Sequence, residues 1–176
     1  MRVFCQEETR LGLPLPIHRR LTGHGMKPVQ VVAPLYEYSW LYAAVEPTTG
    51  EACWWEFPRL DADCFTVFLR QCSQHYTDSL NSVLLDQAPA QVAQRVTVPE
   101  HVIWLWFPAY SPELNPVERL WEDLKRRIDV LNGQVRSSLG ALQEHVAGLV
   151  QCYSAEMIAS LTGYTYLVEA IDALQF

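Results

Sequence analysis

The chain has 176 residues, 49% of them hydrophobic and 19% charged, with a formal net charge of −7. That composition excludes a disordered chain and provides enough length for one domain with a real core. The acidic balance excludes a domain that holds nucleic acid by net charge alone, because such domains carry a basic footprint. No uncharged apolar stretch is long enough to span a bilayer, and the N-terminus MRVFCQEETR lacks a signal-peptide pattern. A cytoplasmic protein with no membrane partner is expected. The five cysteines include no CxxC pair, and their odd number suits buried free thiols in a reducing compartment.

In chain order, residues 2–5 read as a short strand that delivers Gln6, Glu7 and Glu8 at its C-terminal end. Residues 11–27 are loop-like, with Pro14, Pro16, Gly23 and Gly25. Stretches 29–34, 38–45 and 52–57 are rich in β-branched and aromatic residues, and the turn Pro47-Thr48-Thr49-Gly50 separates the last two. They predict an antiparallel meander of three strands. Asp61 caps a predicted helix over 62–75, in which Phe65, Phe68, Leu69 and Cys72 recur at helical spacing. Short strands follow at 81–85, ending on Asp86, and at 102–107. A well-signalled helix then spans 116–130, two more cover 137–152 and 155–161, and residues 162–176 form a tail. The pattern predicts an α/β fold with a mixed sheet flanked by helices, three antiparallel strands being followed by further parallel ones.

Three acidic positions stand where a strand ends or a helix begins: Glu7 (or Glu8), Asp86 and Glu118. Ligand sites of α/β sheets gather outside the carboxyl ends of strands, so these acids are candidates to converge on hard divalent cations. Two Mg²⁺ ions about 4 Å apart can activate the attacking oxygen and stabilise the leaving oxygen of a phosphodiester. Each position also has a plain structural reading. Asn115-Pro116-Val117-Glu118 is a good helix start with a capping-box pattern, Asp86 can open a turn into Ala88-Pro89, and Glu7 and Glu8 can be surface acids.

The longer string SPELNPVERLW, from Ser111 to Trp121, resembles the signature of the mariner-like bacterial insertion-sequence transposases, members of the DDE endonuclease superfamily. Gln6–Gly12, QEETRLG, resembles that family's QDExRFG, and Leu84-Leu85-Asp86-Gln87 resembles its second-acid strand. Residues 38–50 and the segment Leu161-Thr162-Gly163-Tyr164 extend the similarity over nearly the whole chain. The resemblance implies a ribonuclease-H-like fold, with Glu7, Asp86 and Glu118 as catalytic acids and as ligands of two Mg²⁺ or Mn²⁺ ions. It further implies strand cleavage followed by strand transfer on transposon ends and target DNA, and action as a homodimer.

Two positions depart from the pattern. Glu7 stands where the family has Asp, one methylene shorter, and Gln91 stands where relatives often carry His. They open a second reading, a catalytically inactive remnant that survives as a DNA-binding or protein-interaction module. No N-terminal helix-turn-helix module is visible, so residues 1–176 are expected to form the catalytic domain alone. Lys125, Arg126 and Arg127, two turns beyond Glu118 on the same helix, are candidates for DNA-backbone contact, or else a solvated face with cations near the helix C-terminus. Of Trp54–Trp55 and of Trp104/Trp106, one member each is expected to face the core.

Overall fold

The computed structural model describes residues 1–13, 24–25, 37–89, 91, 95–130 and 138–173. Its sheet contains β1 (Arg2–Gly12), β2 (Tyr38–Val45), β3 (Ala52–Phe57), β4 (Asn81–Leu85) and β5 (Val102–Trp106) in the spatial order β3-β2-β1-β4-β5. The pairs β1–β2 and β2–β3 are antiparallel, whereas β1–β4 and β4–β5 are parallel. This is the mixed, ribonuclease-H-like sheet that the sequence predicts. The expected strand at 29–34 lies outside the described residues, and the antiparallel trio begins with β1 instead.

Among the described residues five α-helices flank the sheet: α1 (Ala62–Gln74), α2 (Val117–Val130), α3 (Leu139–Gln151), α4 (Ala155–Thr162) and α5 (Thr165–Ala173). Strand alternation sorts the core into two layers. On one face Val3, Cys5, Ala43 and Val45 pack with Val117, Leu120, Trp121, Leu124 and Ile128 of α2 and with the inner faces of α3, α4 and α5. On the other, Phe4, Tyr42, Ala44, Val83 and Leu85 pack with Phe65, Phe68 and Leu69 of α1. Asp61 caps α1, its carboxylate accepting from Cys64 N–H at 2.9 Å.

Three expectations are corrected. Strand β1 does not stop near Cys5 but pairs with β2 as far as Gly12, so Glu7 and Glu8 lie mid-strand. The C-terminal tail contains helix α5, because Leu167 and Ile171, one turn apart, bury the same stripe in the core layer that holds α2. Cys53 of β3 and Cys72 of α1 face the same layer with Cα atoms 5.8 Å apart and are joined as a disulfide rather than left as thiols. Trp54 packs edge-on against Trp121 while Trp55 is exposed, as alternation requires. Of Trp104 and Trp106, Trp104 packs against Phe65 and the core while Trp106 is exposed, again as expected.

Opposite the candidate site, the sheet is tied by Arg2, whose guanidinium takes both carboxylate oxygens of buried Glu46 (3.2 and 2.5 Å) and lies over the Tyr76 ring. No helix among the described residues is long and apolar enough to cross a membrane.

Helix α2 brings one candidate acid to the sheet, and its anchor is the stripe of fully buried side chains that includes Leu124. Leu124→Ala should lower unfolding stability by about 2–5 kcal/mol in a denaturant titration. A loss below about 1 kcal/mol would show that α2 is not packed as described.

Candidate active site

Parity along β1 decides which acid goes where. Val3 and Cys5 face α2, so Glu7 faces α2 as well, while Gln6 and Glu8 point toward the α1 side. The parallel register ends with Cys5 opposite Leu84. β4 itself ends one residue later, at Leu85, and gives way to Asp86; Phe107 N–H reaches back to Leu85 O at 2.8 Å. Beyond that point, among the described residues, β1 pairs with β2 alone. The vacated edge is a cavity of about 410 Å³ lined by Glu7, Asp86 and Glu118 together with Tyr110 and Asn115.

Each acid is held differently. Glu7, half-buried, uses both carboxylate oxygens: Oε2 accepts from Asn115 Nδ2 at 2.8 Å and Oε1 from Glu8 N–H at 3.2 Å. Asp86 Oδ1 accepts from Ala88 N–H at 3.1 Å, so this residue does open the turn into Ala88-Pro89. Glu118 stands in the first turn of α2 but does not close a capping box. The N–H of the cap residue Asn115 donates to Pro112 O at 2.9 Å instead, and Glu118 faces the cavity.

The acids oppose one another. Burial, followed by the charges of Asp86 and Glu8, pushes the Glu7 carboxyl up to about 8, with Glu118 adding to the rise. Burial also raises Glu8 to about 7, while hydrogen bonds from Gln6 (3.0 Å) and Gln91 (3.4 Å) act the other way. Among the described residues no three His, Cys, Asp or Glu stand close enough to form a ready-made metal cage. Glu7, Asp86 and Glu118 line the same cavity.

Other candidates are placed as follows. Lys125 and Arg126 are exposed on α2; Arg126 lies 3.2 Å from Asp123. Arg127 is taken up within the fold by Asp123 at 2.6 Å and by the Tyr153 ring. Gln91 is fully buried and donates to Gln6 Oε1 at 2.9 Å, on the side of β1 away from the cavity. Sequence reasoning missed two residues. Asn115 reads as a helix cap, and nothing in its spacing reveals its contact with Glu7. Tyr110 sits on the cavity rim, completely exposed, with φ 61°, a left-handed conformation that costs a bulky residue about 1 kcal/mol or more. Its only sequence signal is an aromatic residue in a turn between Pro108 and Pro112.

A mixed sheet in this order, flanked by helices on both faces, defines a ribonuclease-H-like fold. The comparisons with known proteins agree: residues 8–138 match the family model of the DDE superfamily endonucleases, and the chain belongs to that family. The matched region begins one residue after Glu7. An uncharacterized protein of Sinorhizobium fredii (strain NBRC 101917 / NGR234), y4pE/y4sA, is 30% identical over 89 residues, which cover 50% of this chain and 66% of the relative. Among solved structures, a Mos1 transposase paired-end complex with the left transposon end superposes with a TM-score of 0.67 at 14% identity, covering 92% of this chain and 51% of that one. Mos1 paired-end complexes with Mn and with Mg superpose with TM-scores of 0.64 and 0.65, each at 15% identity, covering 92% of this chain and 52% and 51% of theirs. At such identities the likeness is one of fold. The chain spans about half the length of these Mos1 chains.

The raised Glu7 carboxyl has a consequence for stability. It remains protonated in the folded protein while the unfolded chain ionises above its ordinary value of 4.5. Stability from this group is therefore complete below about pH 4.5 and is lost as pH rises through the folded value near 8. Without metal, thermal melting should fall by several degrees between pH 5 and 8, and Glu7→Gln should remove much of that slope. An identical slope in Glu7→Gln would show that Glu7 does not titrate in this way.

Proposed function

We propose that this chain is the catalytic domain of a transposase, which cleaves DNA strands at transposon ends and joins them to target DNA with divalent metal ions held by Glu7, Asp86 and Glu118. The observation that carries the reading is that acids from three separate elements, β1, the end of β4 and the start of α2, face one open cavity. Membership of the endonuclease family supports it. Mg²⁺ and Mn²⁺ take hard oxygen ligands, and the donors here are all carboxylates, so the chemistry of the set fits. When bound, two such ions supply positive charge for the attacking and leaving oxygens of a phosphodiester.

The chain's own residues do the rest. Glu7 is oriented by two hydrogen bonds on a strand interior to the sheet. Asp86 is oriented by the Ala88 amide, and Glu118 rides on a helix locked by its apolar stripe. Sites built on such rigid elements keep their geometry. Exposed Lys125 and Arg126 lie further along α2, and we assign them to the DNA backbone, with Arg127 behind them bracing the helix. Cations placed this way compensate locally for an acidic chain. We place the active protein in the cytoplasm as a homodimer.

The parent chain should cleave nicked or terminal-repeat DNA in Mn²⁺, and Asp86→Asn and Glu118→Gln should each reduce the rate by about a hundredfold or more. Mn²⁺ at about a hundred times its dissociation constant should also stabilise the parent by about 2.7 kcal/mol and these variants far less. Cleavage or stabilisation unaffected by either substitution would sink the three-acid site.

Tyr110 separates function from stability. It touches the solvent and not the core, and a strained residue at a cavity rim is a candidate for DNA contact. Tyr110→Gly should raise stability by about 1 kcal/mol while weakening DNA binding roughly tenfold, and Tyr110→Phe should leave both near the parent's values. Equal DNA affinity in Tyr110→Gly would remove this residue from the interface.

A further inference from the structure

We propose that Asn115 is a positioning residue, a clamp that aims the Glu7 carboxylate into the cavity it shares with Asp86 and Glu118. The side chain is 1% exposed, and three of its hydrogen-bonding positions are used at once. Nδ2 donates to Glu7 Oε2 at 2.8 Å and to Gln6 O at 3.0 Å, and Oδ1 accepts from Val117 N–H at 3.2 Å. The last bond caps α2. The other two tie that cap to the one stretch of β1 from which β4 has withdrawn.

One amide therefore couples the strand that carries Glu7 to the helix turn that carries Glu118. Gln6 O, on the vacated edge, receives the donor that a neighbouring strand would otherwise provide. Glu7 has three rotatable bonds, and its carboxylate is kept from swinging by Asn115 on one oxygen and Glu8 N–H on the other. A glutamate reaches Nδ2 by its full length. Aspartate at the same position is one methylene shorter and falls short of it. The clamp thus belongs to Glu7 in particular, and it accounts for how the longer acid can serve where the resembling family has Asp.

The inference rests on the metal-site reading, so its test has one arm with metal and one without. Groups that orient a metal ligand are worth about 10–100-fold in affinity. Asn115→Ser and Asn115→Asp both keep an oxygen to cap α2 and lose the Nδ2 donor. By calorimetric titration of the full chain with Mn²⁺, Asn115→Ser should weaken binding at least about tenfold in the parent but less than about twofold in a Glu7→Asp background. A purely structural residue would cost the same in both backgrounds, and that result would overturn the proposal. Without metal, exchange of the Asn115 side-chain amide protons, followed by NMR, should quicken at least about fivefold in Glu7→Ala and stay unchanged in Asp86→Asn. Unchanged exchange in Glu7→Ala would overturn the clamp whatever the metal does. Should the parent bind no Mn²⁺ while the exchange result holds, the metal site falls and the clamp stands. If Asn115→Ser folds poorly, Asn115→Asp repeats the titration, with the same loss expected in the parent and the same near-absence of loss in the Glu7→Asp background.

Discussion

Strand β1 runs on to Gly12 after its parallel partner β4 has stopped, and the site depends on what fills the edge left behind. A strand edge in a sheet interior leaves backbone groups that must find partners or water. Here Asp86 and the 107–112 turn fold away from that edge and leave a bay, and α2 points its first turn into it. Asn115 reaches Gln6 O from that turn. Had β4 continued beside β1, ladder hydrogen bonds would occupy this space and the acids would have no cavity to share.

Placing acids in such a bay has an electrostatic cost that the fold meets elsewhere. The Glu7 carboxyl is raised by burial and by its acidic neighbours, so its ionisation opposes folding near neutral pH. The two core layers, the disulfide between β3 and α1, and the paired Arg2 at the far end of the sheet supply rigidity away from it. Tyr110 adds backbone strain on the cavity rim. Repulsion and strain gathered at one place, in a fold otherwise conventionally packed, are what a functional site looks like physically.

Much of this was legible in the residues. Runs rich in β-branched and aromatic residues located β2 and β3 to the residue, and Asp61 with its apolar stripe located α1. The SPELNPVE string located the start of α2. The length of β1 was not legible, because the polar run that follows Cys5 looks like a strand end until β2 is known to pair with it. The choice between Glu7 and Glu8 was likewise closed to spacing alone. It follows from strand parity, which sends Glu7 toward α2 and Glu8 toward Gln6 and Gln91. Asn115 carried a local signal, helix capping, that concealed a long-range one, because a contact between residues so far apart in the chain leaves no trace in periodicity. The Cys53–Cys72 pair was hidden for the same reason.

The most direct test of one metal site shared by Glu7, Asp86 and Glu118 is anomalous diffraction from crystals of the chain soaked in Mn²⁺. The expected result is anomalous density in the cavity, with oxygens of all three carboxylates at coordination distance, about 2.0–2.3 Å. Density bound by Glu8 in place of Glu7, or none in the cavity while Mn²⁺ binds elsewhere on the chain, would contradict it.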